Sequence, residues 1–368
     1  MSNGTVIYYG GFALPDKSAS ANRVVSNGKL FSALGYRTVF LGVSDEDDFK
    51  IKKIGESMFV LPRAKSSKEW FKRMTDVSNT ENIIKENPDT KAVILYNSPF
   101  LTLLRFKGFL KKKNIRLIYD CTEWTGDTDG SYLKKAFKKI DGFFIRNFAG
   151  RVSDKMIVIS SMMEKKYKNH VPCVRIPPLV DISDSVWHQE KENDENKFVF
   201  CFAGVPDGKK ESLDAVVKAF SAVKNESVIL RIVGVTREQF VKLYPKIEIN
   251  NNVIFEGFVS HAQAVKFILS CDCYIFIRES DRRNNAGFPT KFAESFTAGV
   301  PVITTDVSDV REYIEKNVNG TVLTSTDEKV IAEAMRKQIR GGKQPYFLRP
   351  DFDFRSYVQK TAELFGNE

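Results

Sequence analysis

A chain of 368 residues, 42% hydrophobic and 28% charged, is too long for one core and too apolar for large-scale disorder, so two folded domains are expected. No run approaches the ~20 apolar residues of a membrane-spanning helix, and Val6-Ile7-Tyr8-Tyr9, with no basic region before it, is too short for a secretory leader. Cys121, Cys173, Cys201, Cys271 and Cys273 keep neither metal-ligand spacing nor a disulfide framework, which leaves structural thiols in a reducing cytosol as the expectation.

Short β-rich runs alternate with amphipathic stretches in both halves, the rhythm of parallel sheets covered by helices in an α/β protein. The first half predicts strands at 5–9, 38–41, 58–61, 91–96, 115–119, 155–159 and 173–176, with helices notably at 21–34, 67–86 and 101–113. The second half predicts strands at 198–202, 227–233, 252–255, 273–277, 301–304 and 321–323. Ile176-Pro177-Pro178-Leu179-Val180-Asp181 interrupts the rhythm, and the polar, acidic run 187–197 after it reads as a linker. The domain boundary is therefore placed near residue 190.

The first predicted strand runs into Gly10-Gly11, where the missing side chains let backbone approach a ligand; a plain turn would look the same. The following helix carries Arg23. No G-x-G-x-x-G is present, which argues against a dinucleotide site.

Charge is concentrated further on. Residues 101–175 hold 17 Lys and Arg against 7 Asp and Glu, a net +10 equal to that of the whole chain, so the remainder is neutral. The excess lies in Leu103–Lys113 and Tyr132–Ile140, with Phe143, Phe144 and Phe148 continuing the second run. Basic residues interleaved with Phe and Leu suit a helix lying on an anionic membrane surface. They equally suit a solvated basic face whose apolar residues pack inward. Nucleic acid is not expected, since no reader motif accompanies the charge.

Asp120-Cys121-Thr122-Glu123-Trp124 follows the strand at 115–119, which sets its carboxylates at the sheet's carboxyl edge. One of them could orient an acceptor hydroxyl, or Asp120 could simply cap the next helix. Asp127-Thr128-Asp129 and Asp351-Phe352-Asp353 match the loose Asp-x-Asp pattern of metal-dependent sugar transfer, but neither directly ends a parallel strand. No metal site is expected.

In the second half, Gly204-Val205-Pro206-Asp207-Gly208-Lys209-Lys210 leads from a strand into a helix, and lysines at such a helix start can grip a diphosphate. The spacing is one residue short of a nucleoside-triphosphate P-loop, and no Ser or Thr follows the lysine. The most informative stretch is 285–305. It reads as a glycine-containing loop, a short helix begun by Pro289 and ended by Gly299, and a buried strand. Free amides of Thr290 and Lys291 would face the loop, Lys291 would add a full charge, and Glu294 would lie one turn on. A phosphate clamp followed by a hydroxyl-binding carboxylate is what a nucleoside diphosphate requires.

Gly287-Phe288-Pro289-Thr290-Lys291, then Glu294, then Ala298-Gly299-Val300-Pro301-Val302-Ile303 resembles the donor-site signature of glycosyltransferase family 4, in the subgroup that builds bacterial surface polysaccharides. The resemblance implies the GT-B fold: two Rossmann-like doubly wound domains facing across a cleft. Residues 1–189 would bind the acceptor and 190–349 the nucleotide sugar, with a crossover helix in 350–368 returning to the first domain. It implies a retaining, metal-independent hexosyltransferase that uses a nucleotide-sugar substrate, expected to be a UDP-sugar, and no cofactor. Gly11, Gly204, Lys209, Phe288, Pro289, Thr290, Lys291 and Glu294 would bind the donor, Glu294 through its ribose hydroxyls. Glu123 and Lys291 would serve catalysis. The acceptor would be a saccharide or polyprenyl-linked saccharide, met by a cytoplasmic enzyme peripheral on the inner face of the cell membrane.

Three departures from the family pattern stand out. No arginine precedes Lys209; none of His170, His188 and His261 lies near Asp120; and Ala286 replaces the glutamate usual eight residues before Glu294, with Glu279 and Asp281 as possible substitutes. A catalytically inactive relative that binds an anionic membrane or partner, or a sugar-nucleotide epimerase, remains open on the sequence alone.

Overall fold

The computed structural model describes residues 2–15, 18–46, 50–124, 132–190, 196–205, 211–316 and 318–366. The chain divides into two compact units, Met1–Leu179 with Phe354–Glu368, and Val180–Asp353.

The first unit comprises β1 (Gly4–Ala13), α1 (Ala19–Ala33), β2 (Tyr36–Ser44), β3 (Lys52–Gly55), β4 (Met58–Pro62), α2 (Ser67–Thr75), α3 (Ser78–Glu86), β5 (Thr90–Tyr96), α4 (Phe100–Lys111), β6 (Arg116–Cys121), α5 (Tyr132–Val152), β7 (Lys155–Val158), α6 (Ser161–Tyr167) and β8 (Cys173–Arg175). Its eight strands run in the order β3-β4-β2-β1-β5-β6-β7-β8. All pairs are parallel except β3–β4. Central strands read as unbroken apolar runs because both faces are covered; Val6, Ile7 and Tyr8 in β1 and Val93, Ile94 and Leu95 in β5 are fully buried. The last segment, Phe354–Leu364, is a chain of short helical turns. Arg116 and Lys155 hold it by donating to the carbonyls of Leu364 and Glu363 at 3.0 and 2.8 Å.

The second unit comprises β9 (Phe198–Ala203), α7 (Leu213–Val223), β10 (Val228–Val233), α8 (Arg237–Leu243), β11 (Val253–Gly257), α9 (His261–Leu269), β12 (Cys273–Phe276), α10 (Arg282–Ala286), α11 (Thr290–Thr297), β13 (Val302–Thr305), β14 (Gly320–Leu323) and α12 (Glu328–Gly341). The sheet is wholly parallel, in the order β11-β10-β9-β12-β13-β14. Phe198, Phe200 and Phe202 alternate along β9 into a core shared with α7 and α12. A second, aromatic cluster joins Phe288, Phe292, Phe296, Tyr313 and Phe352.

Three expectations change. The stretch read as one helix at 67–86 is two, because the Asp76 carboxylate accepts from the Ser78 amide at 2.9 Å and Asp76 itself turns to extended backbone. Lys52–Gly55 adds an edge strand whose polar sequence hid it. The segment read as linker begins inside the second unit: Trp187 is buried, Val180 donates to the Phe352 carbonyl at 2.9 Å, and Ile182 donates to the Asp353 carboxylate at 2.9 Å. The chain therefore changes units after Leu179, and again after Asp353.

Candidate functional site

The order of the second sheet reverses between β9 and β12, and ligands in doubly wound sheets bind outside the carboxyl ends at such a switch point. Backbone closes tightly there. Gly204 donates to the Val233 carbonyl at 2.9 Å, and Gly234 donates to that of Gly257 at 2.7 Å. Gly234 has φ +103°, and a β-carbon on it would meet the Gly204 oxygen at 2.4 Å, so only glycine fits. Leaving β12, Arg278 pairs with Glu211 at 2.5 Å and lies over the Phe276 ring.

The helix α11 supplies the charged centre. Pro289 is its N-cap rather than its first helical residue and offers no side-chain cap, one position from the sequence expectation. The amides of Thr290 and Lys291 consequently have no acceptor among the described residues. Gly299, φ +68°, follows the helix, and a β-carbon on it would meet the Phe347 oxygen at 2.0 Å. Lys291 Nζ donates to Glu294 Oε2 at 2.7 Å, and His261 Nε2 lies 3.0 Å from Oε1. The Glu294 side chain is 5% exposed, those of Lys291 and His261 28% and 34%. Burial alone would raise the Glu294 carboxyl, but the Lys291 ammonium and the His261 hydrogen bond outweigh it and hold the group at about 2. Glu294 is thus an ionised, buried acceptor beside a lysine and two open amides. Such a set can take up a phosphate and adjacent hydroxyls together.

His261 was not singled out as a site residue from the sequence. It opens α9 behind Ser260, whose side chain forms a capping box with Gln263. That Ser-x-x-Gln pattern was the available signal, but 33 residues separate His261 from Glu294. The remaining candidates fall as follows. Phe288 and Pro289 are buried, Phe288 among the aromatic cluster, so only its backbone can face a ligand. Lys209 lies outside the described residues. Ala286 is buried, Asp281 caps α10 through the Asn284 amide at 2.7 Å, and Glu279 accepts from Thr326 at 2.8 Å.

In the first unit, Gly11 is exposed near the end of β1, with open space where a β-carbon would sit. Glu123 is exposed beyond the end of β6. Asp120 and Arg23 are both buried and pair at 3.0 Å. Tyr8 donates to the same carboxylate, and Arg23 also donates to the Ile176 and Pro177 carbonyls at 3.0 and 3.1 Å. Their polar groups are engaged in holding the strand ends, which leaves Glu123 as the solvent-facing carboxylate of that motif. Asp127 and Asp129 lie outside the described residues, and Asp353 is buried on the Ile182 amide. Among the described residues no group of three or more His, Cys, Asp or Glu could hold a metal.

The family model described as glycosyl transferases group 1 matches residues 183–346. Sucrose-phosphate synthase from Thermosynechococcus elongatus is similar at a TM-score of 0.72 and 12% identity, covering 98% of each chain. Anabaena HepE in complex with UDP and glucose gives 0.65 at 13% identity, over 98% of this chain and 99% of that one. The lipopolysaccharide outer core galactosyltransferase WaaB gives 0.63 at 16% identity with the same coverage. None of the curated proteins compared matches the chain. The family-4 resemblance is thereby corrected, because the model that matches is that of group 1. A loop–helix–strand string around one phosphate clamp does not separate such divisions. Residues 183–346, within the second unit, match the glycosyl transferases group 1 model, and the chain has the GT-B fold of these solved structures.

Proposed function

We propose that this chain moves a sugar from a nucleoside-diphosphate sugar, a UDP-sugar, to a saccharide or polyprenyl-linked acceptor in surface-polysaccharide synthesis, with retention and without a metal. The observation that carries the reading is the buried, ionised Glu294 held between Lys291 and His261 at the open start of α11. HepE, solved with UDP and with UDP-glucose, supports the choice of base. The second unit would hold the donor: Glu294 takes the ribose hydroxyls, and Lys291 with the Thr290 and Lys291 amides takes the diphosphate. Gly204, Lys209 and the Phe288-Pro289 backbone would complete the donor contacts within that unit.

On this scheme the bond between the anomeric carbon and the phosphate oxygen breaks while the acceptor oxygen bonds to the same face. The acceptor's proton passes to the leaving diphosphate. Lys291 and the helix amides stabilise the charge that develops on that diphosphate, and Glu123 aligns the acceptor hydroxyl. The first unit would meet the acceptor at an anionic membrane surface. Ile140 and Phe143 on α5 are 59% and 52% exposed, beside Lys135, Lys138 and Lys139, a combination that favours such a surface. No helix among the described residues is long and apolar enough to cross a membrane.

The test is release of UDP from UDP-hexoses in EDTA with short lipid-linked acceptors, the product's anomeric configuration being read by NMR. Acceptor-dependent release with the donor's configuration kept is expected. Interconversion of the sugar nucleotide without acceptor would favour the epimerase reading. No turnover with any donor would leave the inactive-relative reading.

A further inference from the structure

The amino-terminal edge of the first unit's sheet, at the opposite ends of the strands from Gly11 and Glu123, holds a pocket of about 1060 Å³. Five cations line it: Lys91 on β5, Lys107 and Lys111 on α4, Arg116 on β6 and Lys155 on β7. Among the described residues, Asp154 is the only carboxylate residue in the lining, and it is already bonded to Lys107 and to the Leu117 amide. Lys155 is 7% exposed, yet among the described residues its ammonium meets only neutral acceptors, the carbonyls of Glu363 at 2.8 Å and Gly366 at 3.3 Å. Arg116 likewise donates to the Leu364 carbonyl at 3.0 Å. Among the described residues, no carboxylate lies within ion-pair range of Lys91, Lys111, Arg116 or Lys155.

A buried ammonium without a counter-ion is unfavourable, and a concave wall of one sign concentrates its field. The helices α1, α3, α4, α5 and α6 end at this edge, and their carboxyl ends contribute at most about half a negative charge each. Five such ends still leave about one and a half of the net four positive charges of the described lining uncompensated. We propose that the pocket binds a phosphate-bearing anion larger than a single phosphate, at a site separate from the donor centre of α11. The volume accommodates a diphosphate with an attached group, and the Tyr36 and Phe365 rings, 4.2 Å apart between centroids, line one side for an apolar portion of the ligand. This inference does not rest on the donor-site reading.

The probe is inorganic pyrophosphate, titrated calorimetrically into the full chain, into K291A to silence α11, and into K91A/K111A. Lys91 and Lys111 are exposed, so the double variant is expected to keep the wild-type melting temperature. Saturable binding that persists in K291A and weakens at least about tenfold in K91A/K111A is the expected result. Phosphatidic acid vesicles form a second arm: uptake lost in K91A/K111A assigns a lipid headgroup, whereas binding of free pyrophosphate alone assigns a soluble ligand. Loss of pyrophosphate binding in K291A, or no effect of K91A/K111A in either arm, overturns the proposal.

Discussion

Replacing Glu294 by glutamine keeps the side chain's shape and removes its charge, and the structure fixes how the consequence depends on pH. The carboxyl stands at about 2 against an ordinary 4.5, a difference equivalent to roughly 3 kcal/mol in favour of the ionised folded form. Lys291 and His261 are 28% and 34% exposed, and solvent screening reduces the realised effect to about 1–3 kcal/mol. Because the folded value is depressed, the stabilisation is fully present above about 4.5 and disappears as pH falls towards 2, with more than half lost at about pH 3. Trp187 is the single tryptophan of the second unit. Urea unfolding followed by its fluorescence in a W70F/W124F background therefore reports the unit concerned. The gap between parent and E294Q should be widest at pH 7 and shrink by more than half near pH 3. A gap unchanged between those pH values would refute the ion-pair account of Glu294.

Other substitutions probe separate parts of the structure. Gly299→Ala places a β-carbon against the Phe347 oxygen at a left-handed residue and should cost the second unit at least about 2 kcal/mol by urea unfolding. Asp120→Asn leaves Arg23 buried without a counter-charge and should destabilise the first unit by about 3–5 kcal/mol, with R23M/D120L less damaged than either single change, as thermal unfolding would show. His261→Ala removes one of the two partners of Glu294 and should weaken UDP binding by about tenfold at pH 7 while leaving the fold intact. F143S/I140S should abolish flotation with anionic vesicles and leave turnover on a soluble acceptor unchanged.

How far these features were legible in the sequence depends on the range of the interaction. Strands such as β1 and β9 are continuous apolar runs, so local composition announces them. The helix α11 carries its signals, Pro289, Lys291, Glu294 and Gly299, within eleven residues, and was legible to within one position of its start. Long-range partners were not. Arg23 and Asp120 are 97 residues apart and His261 and Glu294 33, and nothing in either neighbourhood marks its counterpart. Trp187 was hidden for a different reason: the acidic residues after it suggested a linker, although one buried aromatic ties the segment to the second unit. The basic pocket escaped because its lysines come from separate strands and a helix, and only the sheet brings them to one edge.

The central claim, that α11 with Glu294 is a nucleotide-sugar donor site, is tested most directly by isothermal titration of the full chain with UDP, GDP, ADP and dTDP, with and without magnesium. The account predicts micromolar binding of UDP, the same in EDTA as in magnesium, and lost in Glu294→Ala. Absence of binding to all four, or UDP binding that Glu294→Ala leaves unchanged, would contradict it.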